Sequence, residues 1–335
     1  MSKILLEHGD GGLLTSRLVR DIFLKHLGRP QGPLEDSTIV DSRPRIAVTT
    51  DAFVVSPLWF RGGDIGKLAV SGTYNDLVVR GARPAYLTCS FIVEEGFETV
   101  QLEALVESLA AEARRARVSV VAGDTKVVQA GQADGLFIGA SGIGFIEDAR
   151  ELGVTSVREG DAVVVTGDIG RHGATLMAAR LGIKAAPGLA SDCHSMTYLL
   201  DVACVPGVHC MRDITRGGVV TILCEIAEST GLSIQLDENG VLTAPETSGI
   251  CRLLGLDPLY LPCEGRAVIF CEERSVPSVL ETLRSSREST GGEPLLDPRR
   301  AATVTGTQGI VSMVTMYSGT RRLSSLTGAQ LPRMC

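Results

Sequence analysis

Aromatic side chains are scarce in this chain of 335 residues: they make up 4% of it, with a single tryptophan. Set against 38 glycines, that scarcity favours tight turns and sites lined by backbone. No block of consecutive Lys or Arg occurs and the formal net charge is −7. Nucleic acid or an anionic membrane surface would therefore gain no counterion release on binding, and a small molecule or another protein is the expected partner. No stretch approaches the ~20 apolar residues that span a bilayer, and the opening MSKILLEHGDGG has no apolar leader, so a cytoplasmic protein is expected. The nine cysteines include no CxxC pair and the five histidines show no zinc-type spacing with them. Most cysteines are expected to be reduced core residues. The phosphate-binding pattern GxxxxGK followed by Ser or Thr is missing, as are short repeats and low-complexity segments.

What is present is enough apolar residue, 44%, to bury a substantial core, and the length predicts two domains. Residues 1–148 read as a first domain with strands near 45–51, 84–93, 118–128 and 135–146, separated by helical patterns at 64–81 and 98–117. A turn-rich join leads to a second domain, 149–318. It opens on a strand at 162–166, helices near 172–181 and 195–203, and MRDITRGG starting a helix that runs to Thr230. Both halves are expected to be α+β, a sheet packed by helices. Residues 319–335 hold Gly, Ser, Thr, Gln and Pro without a sustained apolar period and read as a flexible tail ending on Cys335. Thirteen extended residues reach roughly 40 Å, enough to carry a thiol between a partner protein and a site on its own body. A prenylation signal is excluded, because the cysteine is last instead of fourth from the end.

Six acid-containing segments place a carboxylate beside glycine or another small residue: HGDGG (8–12), LEDS with Asp36, TTD with Asp51, YNDL with Asn75 and Asp76, AGDTK with Asp124 and Lys126, and MRDITRGG with Asp213. Taken singly, such acids are turn residues. Asp76 carries more weight, because helical rotation sets it on the stripe of Ile65, Leu68, Ala69 and Gly72, and an inward carboxylate needs a cap or a cation. Strand alternation places Asp124 and Lys126 on one face, either as a surface ion pair or as an acid for Mg²⁺ and a lysine for a transferring phosphoryl group. The glycines of HGDGG, of RGGDIGK (Gly62, Gly63) and of TRGG (Gly217, Gly218) can lay backbone N–H groups against phosphates. Hard oxygen ligands beside such glycines point to Mg²⁺ and ATP together. In LPCEGR, Glu264 is either a structural ion-pair or turn residue or a general base raised by poor solvation.

The strings TTDAFVVSPLWFRGGDIGKLAVSGTYNDL, AGDTKVV, MRDITRGG, CEGR and the final PRMC, collinear from His8 to Cys335, closely resemble the HypE family of nickel–iron hydrogenase maturation factors. That family lies in the AIR synthetase (PurM)-like ATP-binding superfamily. The resemblance implies a two-domain fold in which first-domain strands close a barrel in a homodimer, with ATP at the domain cleft. It implies ATP-dependent dehydration of a carbamoylated cysteine, here Cys335, to a thiocyanate, a lyase activity. The carbamoyl group would come from the carbamoyltransferase HypF, and the cyanide would pass to iron on a HypC–HypD complex. Carried over by motif, Asp36, Asp51, Asp76 and Asp213 would hold Mg²⁺ and, with Asn75, Asp124 and the glycines, the nucleotide. Lys126 would steady the phosphoryl group, Glu264 take the amide proton and Arg333 guide the tail. The chain departs from the family pattern at Asp10, where serine is usual, at Ile214 in place of proline and at Met334 in place of a branched residue. Two other readings remain: a small-molecule kinase of the selenophosphate or thiamine-phosphate type, and a nucleotide-gated carrier whose partner does the chemistry.

Overall fold

The structure, a computed structural model, describes residues 13, 16, 38–40, 45–147, 152–184, 186–290, 298–326 and 333–335. The first half is built on a five-stranded sheet: β1 (Thr38–Val40), β2 (Arg45–Phe53), β5 (Arg83–Glu94), β6 (Ser119–Val128) and β7 (Leu136–Ile146), in the order β1-β2-β7-β5-β6. Between β2 and β5 come the short hairpin strands β3 (Trp59–Phe60) and β4 (Gly63–Asp64) and helix α1 (Ile65–Val78). Helix α2 (Thr99–Ala116) is the crossover that makes β5 and β6 parallel, whereas β2 and β7 pair antiparallel. The Asp64 carboxylate accepts the Lys67 N–H at 2.9 Å and so caps α1, which is buried along almost its whole length against the sheet and α2. The two helices cover one face of β2, β7 and β5, while the edge strand β6 is exposed on both faces. The opposite face, with Thr50, Ala52, Tyr86, Ser90, Ile92, Asp124 and Lys126, is open.

The second half holds a seven-stranded sheet in the order β14-β13-β10-β12-β8-β11-β9. Its strands are β8 (Asp161–Val165), β9 (Val208–Asp213), β10 (Ser233–Asp237), β11 (Ala267–Glu272), β12 (Arg299–Thr305), β13 (Val311–Val314) and β14 (Thr320–Leu323). The helices are α3 (Arg171–Arg180), α4 (Leu199–Ala203), α5 (Gly218–Thr230), α6 (Pro245–Leu254) and α7 (Val276–Thr290). One hydrophobic cluster runs from Phe53, Leu68 and Tyr74 of the first half through Met196 and Tyr198 to Ile269 of the second, and it includes Met334. Among the described residues no helix is long and apolar enough to cross a membrane.

Most expected elements occur with ends moved by a few residues. The helix expected at 195–203 shrinks to Leu199–Ala203 because its first residues are engaged elsewhere. The Ser195 N–H and hydroxyl both donate to Glu112 Oε1, at 2.9 and 2.6 Å, and the Met196 N–H donates to Asn75 Oδ1 at 2.8 Å. The stretch from 319 does not begin as a free tail either. Thr320–Leu323 adds to the sheet edge on β13 and buries Leu323, a strand too short for periodicity to announce.

Candidate active site

The C-terminal end of β2, the C-terminal half of α1 and the loops that follow β9 and precede β11 meet around a cavity of about 290 Å³. Asp51 comes from β2, Asp76 from α1, Asp213 from the last position of β9, and Glu264 from the turn before β11. Cys335 lines the same cavity. Asp76 accepts the Thr49 hydroxyl at 2.7 Å, so the carboxylate that the helical stripe turned inward faces β2 and the opening. Glu264 is held by its backbone. Its N–H donates to Asp192 Oδ1 at 3.2 Å, the Cys263 N–H donates to Ile214 O at 2.8 Å, and the Ile214 N–H donates to Arg266 O at 2.7 Å. Asp192 in turn lies 3.7 Å from buried Arg266, which also binds Asp168 at 2.9 Å. A Cβ on Gly265 would fall 2.0 Å from Asp192 O and 2.3 Å from the His194 ring, so only glycine lets the CEGR turn pack this closely.

Five side-chain carboxyl groups line this space, those of Asp51, Asp76, Asp213, Glu225 and Glu264, and the proton affinities of Glu264 and Asp51 respond. Burial pushes Glu264 well above the usual carboxylate range, Asp213, Asp192 and Asp51 add to the rise, and Arg216 opposes it. Burial raises Asp51 too, against Arg216 and the Ala52 N–H. Two arginines line the cavity: Arg212, which pairs with Glu225 at 3.4 Å, and Arg216, which faces Cys335 and the other carboxylates. Cys335 strengthens the hold of Arg216 on its proton most, followed by Asp51, Glu264 and Asp76 once its own burial is offset. Among the described residues no three His, Cys, Asp or Glu side chains converge closely enough to enclose a metal. The donors are nevertheless hard oxygens on two walls of one cavity, a set that suits Mg²⁺ held by one or two carboxylates and completed by phosphate oxygens.

The end of the chain is seated, not merely nearby. Val54 N–H donates to Cys335 O at 3.0 Å, His172 Nε2 to Met334 O at 2.6 Å, and Met334 is 4% exposed. Arg333 donates to Val54 O at 2.9 Å and to Asp134 at 2.7 Å, with its guanidinium 5.7 Å from the centre of the Phe137 ring. Arg333 thus fixes the tail, whereas the cation beside Cys335 is Arg216.

Several residues expected at the site are elsewhere. Asn75 is buried with its amide spent on the backbone: Nδ2 donates to His194 O and Glu264 O at 3.1 and 3.4 Å, and Oδ1 accepts Met196 N–H. It positions the Glu264 loop and offers no oxygen to the cavity. Gly62 lies in the β3–β4 turn, packed on Ser191, and Gly63 opens β4 against the Phe60 ring; neither lines the cavity. Gly217 and Gly218 make the turn into α5, while their neighbours Thr215 and Arg216 line it. Asp124 and Lys126 form an exposed ion pair at 2.9 Å on β6. Asp51 pairs with Ala140, Ala140 with Cys89 and Cys89 with Gly123, so Asp124 and Lys126 stand on the opposite sheet face from Asp51. They are also three strand spacings away, roughly 14 Å. Asp36 and the HGDGG segment lie outside the described residues. Sequence reasoning missed Arg216, Thr49, Arg212 and Glu225 as lining residues. MRDITRGG carried both arginines, but arginine beside glycine has no distinguishing spacing.

Residues 34–146 match the family described as AIR synthase related protein, N-terminal domain, and residues 158–290 its C-terminal domain. The carbamoyl dehydratase HypE of Rhodobacter capsulatus is 40% identical over 99% of this chain and 98% of its own length. That of Escherichia coli K12 is 38% identical over 100% of both. A crystal structure of the hydrogenase maturation protein HypE in complex with ATP superposes with a TM-score of 0.82 at 39% identity, covering 99% of this chain and 100% of that one. A HypE–HypF complex gives 0.86 at 34% identity, over 92% and 99%. The geometry of two sheets around an acid-lined cavity and the full-length likeness agree: this chain belongs to the AIR synthase related family and, within it, to the HypE carbamoyl dehydratases.

Proposed function

We propose that this protein uses ATP to dehydrate a carbamoyl group carried on Cys335, turning the S-carbamoyl cysteine into an S-cyano cysteine that supplies cyanide for the iron of nickel–iron hydrogenase. The observation that carries this reading is the placement of Cys335 in one cavity with Asp51, Asp76, Asp213, Arg216 and Glu264. An amide oxygen is a poor leaving group. Taking up the γ-phosphoryl group turns it into phosphate, whose departure with the two amide protons leaves a C≡N bond on sulfur. Glu264 is the base for those protons. Burial and neighbouring carboxylates make it an avid proton acceptor, and Arg216 keeps its ionised form accessible. Asp51, Asp76 and Asp213 would hold Mg²⁺, which supplies charge neutralisation to the nucleotide phosphates. The seated Arg333–Cys335 segment fixes the sulfur while this happens.

HypF is the proposed source of the carbamoyl group and a HypC–HypD complex the acceptor of cyanide. Loading requires the thiol to leave the cavity, so the tail alternates between docked and free. A homodimer closed on the open face of the first sheet would cover Tyr86 and Ile92, each more than 40% exposed, and would carry Lys126 toward the second copy. Intact-mass measurement with HypF, carbamoyl phosphate and ATP tests the reading. Cys335→Ala is expected to bind ATP yet take no carbamoyl group, and Glu264→Ala and Lys126→Ala to accumulate the loaded protein before loss of water. Loading of the alanine variant at position 335 would defeat the assignment. Water loss at the normal rate in Glu264→Ala and Lys126→Ala would favour a nucleotide-gated carrier.

A further inference from the structure

The RGG turn, singled out in the sequence for phosphate binding, touches no part of the cavity and has a different neighbour. Gly62 has φ +92, and a Cβ there would lie 2.5 Å from Ser191 O; the Ser191 N–H donates to Arg61 O at 2.8 Å. The turn therefore clamps the backbone of Ser191. Ser191 Oγ accepts the Cys193 N–H at 3.1 Å and lies 2.7 Å from Nδ1 of His172. The other ring nitrogen, Nε2, is 2.6 Å from Met334 O. A carbonyl can only accept, so Nε2 carries the proton, Nδ1 is bare, and the Ser191 hydroxyl donates to it. Donation runs one way from the Cys193 backbone through Ser191 and His172 to Met334. The ring is fully buried, Phe60 of the same hairpin meets it edge-on at 5.3 Å, and burial lowers its proton affinity, which keeps it neutral. About two helical turns further along α3, Arg180 donates to Arg333 O and, at 2.5 Å, to Ser56 O.

We propose that His172, oriented by Ser191 and seated by the Arg61–Gly63 turn, is a positioning residue that with Arg180 grips the two main-chain carbonyls before Cys335 and sets how long the thiol stays in the cavity. The grip of His172 and Arg180 reads backbone; the side-chain anchors of the segment are buried Met334 and the Arg333 guanidinium on Val54 O and Asp134. His172 does not line the cavity. Its effect on the reaction passes through the location of the sulfur. This inference rests on the proposed function only for its consequence. The docking itself can be measured without ATP.

The test uses the full-length protein and a bulky maleimide, with the rate of Cys335 labelling read from the mass of its peptide and exposed Cys204 as internal reference. His172→Leu is expected to label Cys335 about tenfold faster, the factor for one buried hydrogen bond, with Cys204 unchanged. His172→Gln, whose amide N–H can take the place of Nε2–H, is expected to stay within about twofold of wild type. Ser191→Ala removes a single hydroxyl and serves where His172→Leu does not fold; a several-fold rise is expected. Labelling of Cys335 at the wild-type rate in a folded His172→Leu or Ser191→Ala protein overturns the proposal. In single turnovers of protein already loaded, His172→Leu is expected to slow water loss by a similar factor, while loading by HypF is unimpaired. Water loss at the wild-type rate despite faster labelling overturns the claim that docking governs the reaction. Absence of water loss in the wild type would sink the proposed function, and the labelling rates would still judge the grip.

Discussion

Glu264 and His194 come from two loops joined by the His194 N–H donating to Glu264 O at 3.2 Å, and they respond to pH in opposite senses. Glu264 holds its proton more tightly folded than unfolded. The stability this gives the ligand-free protein is complete below the ordinary carboxylate pKa of about 4.3 and is lost as pH rises through the raised folded value. Melting curves taken upward from about pH 5 should therefore show a decline that Glu264→Gln removes; an unchanged decline would separate it from this carboxyl. His194 is lowered to about 4, by burial first and then by Arg266. Between about 6.5 and that value the unfolded chain binds a proton that the folded one refuses, so stability falls as pH drops. His194→Gln should flatten that acid limb. At this scale the sequence was readable where a residue's own spacing settled its direction. Asp76 declared itself through the stripe of α1. Arg216 did not, because only the fold brings it between carboxylates from three other elements.

Among the elements, α1 does most to assemble the site. It presents Asp76 to the cavity and, one residue earlier, sends Asn75 across to the loop that carries Glu264. Asn75→Ala leaves the Met196 N–H buried without its acceptor, so a loss of about 1–3 kcal/mol is expected in denaturant unfolding. The same variant should slow water loss by more than its stability explains, because Glu264 loses its brace. A slowdown absent at temperatures where the variant is fully folded would show that the brace is dispensable. The β3–β4 turn shows why glycine was misleading. Glycine signals that something approaches the backbone closely, and it signals this equally for a phosphate oxygen and for the carbonyl of Ser191. The strand Thr320–Leu323 was illegible for another reason, since a few residues at a sheet edge draw their order from β13 and not from a pattern of their own.

At the scale of the whole molecule, the position of Lys126 is decisive. It lies on the open sheet face, away from the Asp51 cavity of its own subunit, so a role in phosphoryl transfer requires it to act on a second copy. In the proposed homodimer, mixing Lys126→Ala with Glu264→Gln, each expected to be inactive alone, should restore about one quarter of wild-type activity, since half the reassorted dimers would carry one intact site of two. No recovery after confirmed subunit exchange would exclude action between subunits. Sequence alternation had placed Asp124 and Lys126 together correctly, but not which sheet face they share with the acids, because that depends on pairings between strands far apart in the chain. The seating of Arg333–Cys335 beside Val54–Ser56 has a last consequence. The protein carries its own tethered ligand, so a free peptide copying the final residues competes against an effective concentration of roughly millimolar, and an inhibitor aimed at this groove must bind well beyond that level.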